Sequence, residues 1–189
     1  MVTASQLVDF HDICELKYRY VRALDTQDWD LLDACFTEDV VLWPNGGDYI
    51  ARGKPDVLAM VRAIVIESFY SSHVVVHPEI DFIDENHAKG IWRLEDTLLF
   101  TAPHPVITHT PIKGGEQANG AGYYYDEYVR DAGNWLISSC GFMRIFEAMR
   151  RPGSPDAELT TYAHRGMREA TGDQASVTPP STKISAPVM

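Results

Sequence analysis

Cysteine is scarce in this chain: three in 189 residues, at Cys14, Cys35 and Cys140. They are far apart, odd in number and form no C-x-x-C. That sets aside a disulfide framework and a zinc site in favour of reduced thiols in a cytoplasmic core. Basic residues are also in deficit, 16 against 27 acidic, for a formal net charge of -11. Nucleic-acid phosphates and anionic membrane surfaces need clustered Lys and Arg, so neither is expected as a partner. Long apolar runs are missing. The stretch 57–69 comes nearest, and Arg62 and Glu67 interrupt it well short of a membrane span. The opening residues 1–6 have no basic and no apolar region, so no signal peptide is expected. No H-E-x-x-H, P-loop or dinucleotide fingerprint occurs, and Gly114-Gly115 is too short for a phosphate loop. The expected cofactors and metals are therefore none.

What is present is an ordinary globular composition, 45% hydrophobic and 11% aromatic, long enough for one domain with a substantial core. Residues 5–26 read as a helix, with Leu7, Phe10, Ile13, Leu16, Tyr20 and Leu24 on three- and four-residue steps. A short helix is expected over 28–36 and a strand over 40–43. A turn at Pro44-Asn45-Gly46-Gly47 precedes a further extended piece at 49–51. Gly53-Lys54-Pro55-Asp56 opens a third helix, expected to run to about Phe69. Strands follow over 74–76 with 79–83, then 89–101, 120–130 and 135–146. Asp131-Ala132-Gly133-Asn134 makes a hairpin turn. Residues 102–117 read as a long loop of the kind that often covers a site. Residues 154–170 read as a short helix, and 171–189, rich in Ser, Thr and Pro, as a mobile tail. The order, helices then a mostly antiparallel sheet, is that of an α+β domain over 1–150 with an extension over 151–189.

Asp96 is the residue that points to chemistry. In the strand around it, one face carries Trp92, Leu94, Asp96, Leu98 and Phe100. An unpaired carboxylate on an apolar face is costly, so it must be paired, hydrogen-bonded or protonated. Three other polar residues stand near predicted element ends or on apolar stripes: Tyr20, Asp25 and His73. Taken singly, each has a plain reading. Asp25 at a helix C-terminus is usually solvated, His73 could be a hydrogen-bonded core histidine, and Tyr20 could be packing.

The segment Tyr18-Arg19-Tyr20-Val21-Arg22-Ala23-Leu24-Asp25-Thr26-Gln27-Asp28-Trp29-Asp30 resembles the first-helix signature of the SnoaL-like superfamily. Gly90-Ile91-Trp92-Arg93-Leu94-Glu95-Asp96, the 123–128 strand and Gly141-Phe142-Met143-Arg144-Ile145-Phe146-Glu147 continue the likeness over roughly residues 8–150. The resemblance implies the cone-shaped α+β barrel of nuclear transport factor two and scytalone dehydratase, with N-terminal helices packed on a curved sheet. It is nearest to the bacterial bile acid 7α-dehydratases. It further implies an Asp–His dyad at Asp25 and His73, a helix tyrosine at Tyr20, a second pocket aspartate at Asp96 and a trimer. Trp92, Leu94, Leu98, Phe100, Tyr125, Phe142, Arg144 and Phe146 are then expected to contact a bulky apolar substrate. His77, four residues past His73, is a candidate second histidine, though Pro78 suggests a strand break.

The implied reaction is a cofactor-free dehydration of a hydroxysteroid or polyketide-like ring, with His73 as base, Asp25 orienting it, and Tyr20 and a protonated Asp96 as donors. Isomerases and dehydrohalogenases share the fold, as do non-catalytic binding modules and subunits of ring-hydroxylating dioxygenases, so the fold alone leaves these open.

Overall fold

The computed structural model describes residues 3–47, 50–106 and 112–155, together with the backbone of two strands beyond them. Helix α1 (Ala4–Thr26) starts at a capping box in which Thr3 and Gln6 satisfy each other's backbone N–H groups. It ends where Gln27 adopts a left-handed conformation, φ 55°, and returns its N–H to Ala23 and Leu24. Asp28 caps the short α2 (Trp29–Asp33). Strand β1 (Phe36–Trp43), a turn at Pro44–Gly46 and the two-residue β2 (Ala51–Arg52) lead into α3 (Lys54–Ile64).

Helix α3 stops five residues before the position expected. Phe69 already belongs to a strand, because it pairs with Phe100 and packs edge-on against its ring. The long strands β3 (Phe69–Phe82), β4 (His87–Phe100), β5 (Gln117–Asp131) and β6 (Asn134–Arg150) then follow. The expected break in β3 is a bulge. His77 sits there at φ 53°, exposed, and the strand resumes past Pro78. The β5–β6 connection is the tight hairpin expected, with Ala132 and Gly133 both at positive φ.

The sheet runs β2-β1-β6-β5-β4-β3, antiparallel except where β1 lies parallel to β6. Curled but unclosed, it makes the cone-like wall of an α+β fold, with α1 laid across its inner face. The C-terminal extension departs from expectation. A strand β7 (Ala157–Thr161) pairs with residues 146–150 of β6, and β8 (Thr182–Ala186) pairs with β7. Residues 157–161 are thus strand where a helix was expected, because the free edge of β6 offers backbone partners. Part of the expected mobile tail is strand as well; the rest of 162–189 lies outside the described residues.

Cross-strand partners share a face, so the register lists the inner wall row by row. One row is His73, Asp96 and Gly120; the next is Val75, Leu94, Gly122 and Arg144. Deeper rows carry Trp92, Tyr124 and Phe142, and then Gly90, Asp126, Cys140 and Leu42. The apolar stripe of α1 is shifted from the one read in the sequence. Leu7 and Phe10 are exposed, whereas Cys14, Lys17 and Val21 are buried beside Ile13, Leu16, Tyr20 and Leu24.

Candidate active site

Asp25 reaches the wall because the end of α1 is tied down. The Gln27 side-chain amide donates to the carbonyls of Ile66 and Phe69, both at 3.3 Å, just where β3 begins. Along β3, Phe69, Ser71, His73 and Val75 face inward. The Asp25 carboxylate there receives three hydrogen bonds. The Ser71 hydroxyl donates to Oδ1 at 2.8 Å, the His73 backbone N–H to Oδ2 at 2.9 Å, and His73 Nδ1 lies 2.6 Å from Oδ1. With a carboxylate so close, the Nδ1 hydrogen belongs in that contact, and in the neutral ring Nε2 then carries the lone pair. Among the described residues, Nε2 has no hydrogen-bond partner. Burial works to raise the Asp25 carboxyl, but the hydrogen bonds and charge of His73, with Ser71, outweigh it and hold the carboxyl below its ordinary range.

Beside His73 in register stands Asp96, and both its oxygens are engaged. Arg144 Nη1 donates to Oδ1 at 3.0 Å and Nη2 to Oδ2 at 2.6 Å, while Arg144 Nε lies 3.3 Å from Glu147. The proton-donor role expected for Asp96 does not fit this geometry. A carboxylate accepting a bidentate guanidinium has no proton to give. Burial works against the Arg144 charge, but the Asp96 contacts prevail and raise its pKa further. Arg144 is therefore the cation in the row next to His73, and Asp96 holds it. Gly120 makes this possible. A Cβ there would fall inside the Arg144 guanidinium and within 2.8 Å of Asp96 Oδ1.

Other expected residues fall in different places. Tyr20 is buried a level deeper, edge-on to Phe36 and Tyr124, with its hydroxyl at the Cys140 thiol. Burial raises the Tyr20 phenol well above its ordinary value and pushes Cys140 up to about 12. Leu94, Leu98 and Phe142 face inward, and Phe142 packs against Tyr124 and the Arg144 guanidinium. Trp92 faces inward but is fully buried, its indole N–H spent on Tyr128. Tyr125 is on the opposite face, stacked on Trp43, and Tyr124 occupies the inward position. One residue decides this, since neighbours along a strand point to opposite sides. Phe146 also faces outward, where with Ser72, Val74, Thr97 and Asn119 it lines a shallow groove of about 290 Å³ on the far side of the sheet. His77 stays apart from the dyad, at the exposed bulge.

Two features escaped the sequence reading. Ser71 lies two residues before His73, a spacing that puts both on one strand face. Lys17 and Asp126 form an ion pair at 2.7 Å with neither side chain exposed. Lys17 lies four residues past Ile13 on the helix, and Asp126 alternates with Tyr124 and Tyr128, so the positions were readable although the pairing was not.

The SnoaL-like domain model matches residues 5–141. Solved structures agree in fold. A scytalone dehydratase-type protein from Novosphingobium aromaticivorans is 20% identical, with a TM-score of 0.66 over 77% of this chain and 90% of that one. A hexachlorocyclohexane dehydrochlorinase from Novosphingobium barchaimii is 18% identical, with a TM-score of 0.61 over 74% and 88%. A protein from N. aromaticivorans named as an aromatic ring hydroxylase is also 18% identical, with a TM-score of 0.62 over 74% and 90%.

Proposed function

The chain belongs to the SnoaL-like domain family, and from that premise we propose that it is a lyase: a dehydratase acting on a bulky, apolar hydroxy-carbonyl compound such as a hydroxysteroid or a polyketide ring. The observation that carries this reading is the 2.6 Å contact between Asp25 and His73 Nδ1, which leaves Nε2 as a base on the inner wall. Asp25 does for His73 what the aspartate of a hydrolase triad does for its histidine, with no nucleophile beside it.

In the proposed reaction, His73 Nε2 takes a proton from the carbon next to the substrate carbonyl. Negative charge moves to the carbonyl oxygen, where the Arg144 guanidinium, fixed by Asp96, stabilises it. The electron pair then returns to form the carbon–carbon double bond as the hydroxyl leaves. The proton held on His73 passes to that hydroxyl, giving water and restoring the base. Leu94, Leu98 and Phe142 supply an apolar wall for the ring system. Tyr20 and Tyr124 stiffen its floor, which takes the helix tyrosine out of direct proton transfer.

A dehydrohalogenase is the second reading, favoured by the dehydrochlorinase among the structures of like fold. The base would be the same and only the leaving group would differ. The test is incubation with β-hydroxy carbonyl steroids and polyketide analogues, following loss of water by mass and growth of enone absorbance. His73→Ala and Asp25→Asn proteins are expected to fold and to lose turnover by about 10²- to 10⁴-fold. Full turnover in either would sink the dyad.

A further inference from the structure

Helix α1 is held to the sheet at three polar points eight residues apart, and each point meets a different part of the wall. Asp9 accepts from Arg130 Nη2 at 2.6 Å and from the Trp135 indole at 3.2 Å, at the β5–β6 hairpin end. Lys17 pairs with Asp126 in the middle of β5. Asp25 meets Ser71 and His73 on β3. Eight residues advance about 12 Å along a helix, so the three contacts sample the whole length over which α1 crosses the cone.

The middle contact differs from the outer two. Neither the Lys17 nor the Asp126 side chain is exposed at all, whereas Asp9 and Asp25 keep some contact with solvent. Lys17 Nζ also stands 3.5 Å from the centroid of the Tyr124 ring and 4.6 Å from that of Tyr20. Asp126 Oδ2 accepts from the Tyr128 hydroxyl at 2.7 Å, and that hydroxyl accepts from Trp92 Nε1 at 2.9 Å. Asp126 Oδ1 has no partner among the described residues. A buried ion pair of this kind adds little stability over well-packed apolar side chains of the same size, and its best-attested use is to specify register. Apolar contact between a helix and a sheet is non-directional and tolerates sliding. A charge pair in a dry core does not.

We propose that Lys17 and Asp126 are positioning residues that set the axial and rotational register of α1, so that Asp25 arrives opposite His73. Neither touches the dyad, and both act through the helix. The inference rests on the reading of Asp25 and His73 as the working pair. It accounts for a lysine on the buried stripe of a helix where leucine would pack as well. It also explains why the aromatic rings next to Tyr20 are clustered round a cation.

The experiment replaces the pair with neutral partners, Lys17→Met with Asp126→Leu, and separately Lys17→Gln with Asp126→Asn. Both doubles keep the net charge of the pair at zero, so any change at Asp25 comes from geometry. NMR reads the Asp25 carboxyl titration and the low-field proton on His73 Nδ1. In the native protein the carboxyl is expected to titrate below the ordinary value of 3.8, with the Nδ1 proton visible. In a folded double variant the carboxyl should rise into the ordinary range and the Nδ1 signal should be lost. Turnover on the substrate found above should fall by about a hundredfold, as a displacement of about 1 Å produces.

An unchanged titration and an unchanged Nδ1 signal in a folded double variant would overturn the proposal. So would failure of both doubles to fold, since the pair would then serve the fold and not the register. Failure of the dyad reading shows elsewhere, as full turnover in His73→Ala or Asp25→Asn.

Discussion

Asp25 has a pH signature that follows from its three hydrogen bonds. Its folded pKa is depressed below the unfolded value, so the stability it contributes is fully present above the unfolded value and is lost as pH falls through the folded one. Acid unfolding below about pH 4 should therefore be steeper in the native chain than in Asp25→Asn, measured as melting temperature against pH. Arg144 makes a second residue-level prediction. Arg144→Met leaves the Asp96 carboxylate buried without its partner and should cost about 3–5 kcal/mol in urea unfolding. Adding Asp96→Leu should recover most of that. Gly120→Ala should cost about 1–3 kcal/mol by forcing a methyl group into the ion pair. At this scale the sequence was informative about identity and silent about pairing. Asp96 could be seen on an apolar face, but its partner is 48 residues away, so whether it was paired or protonated could not be read from the strand.

Helix α1 shows how far periodicity carries at the scale of an element. Its length was legible within one residue, because an apolar periodicity runs through it from end to end. Its buried face was only half legible. The sheet covers the helix obliquely, so Leu7 and Phe10 fall off the wall while Lys17 is driven into it. Lys17→Met alone should lose about 3–5 kcal/mol, and the doubles with Asp126 replaced should lie near the native value, as measured by denaturant unfolding. The strands show the same limit. Tyr124 and Tyr125 are equally plausible from composition, and the pairing of β4 with β5 chooses between them. Tyr125→Ala should leave turnover close to native, whereas Tyr124→Ala should reduce it along with stability.

At the scale of the whole molecule, the outer face of the sheet is the surface that a proposed self-association would use. It exposes Tyr70, Val74, Val76 and Leu99 together, an apolar surface of the sort that marks a contact. The expected self-association would cover it. Sedimentation of the native chain should then give a multiple of 21.2 kDa, a trimer being expected, and Val74→Lys with Leu99→Glu should reduce that mass. Among the described residues, no helix is long and apolar enough to cross a membrane. Local pattern alone determined the α+β class, the order of the elements through residue 150 and the hairpin at 131–134, because helical periodicity, strand alternation and turn residues act over a few positions. Contacts across tens of residues decided the rest: Asp96 as the holder of Arg144, Tyr124 facing inward where Tyr125 was expected, Lys17 in the core and strand at 157–161. Each of these depends on which strands pair and in what register, and a one-residue change in register exchanges the two faces of a strand.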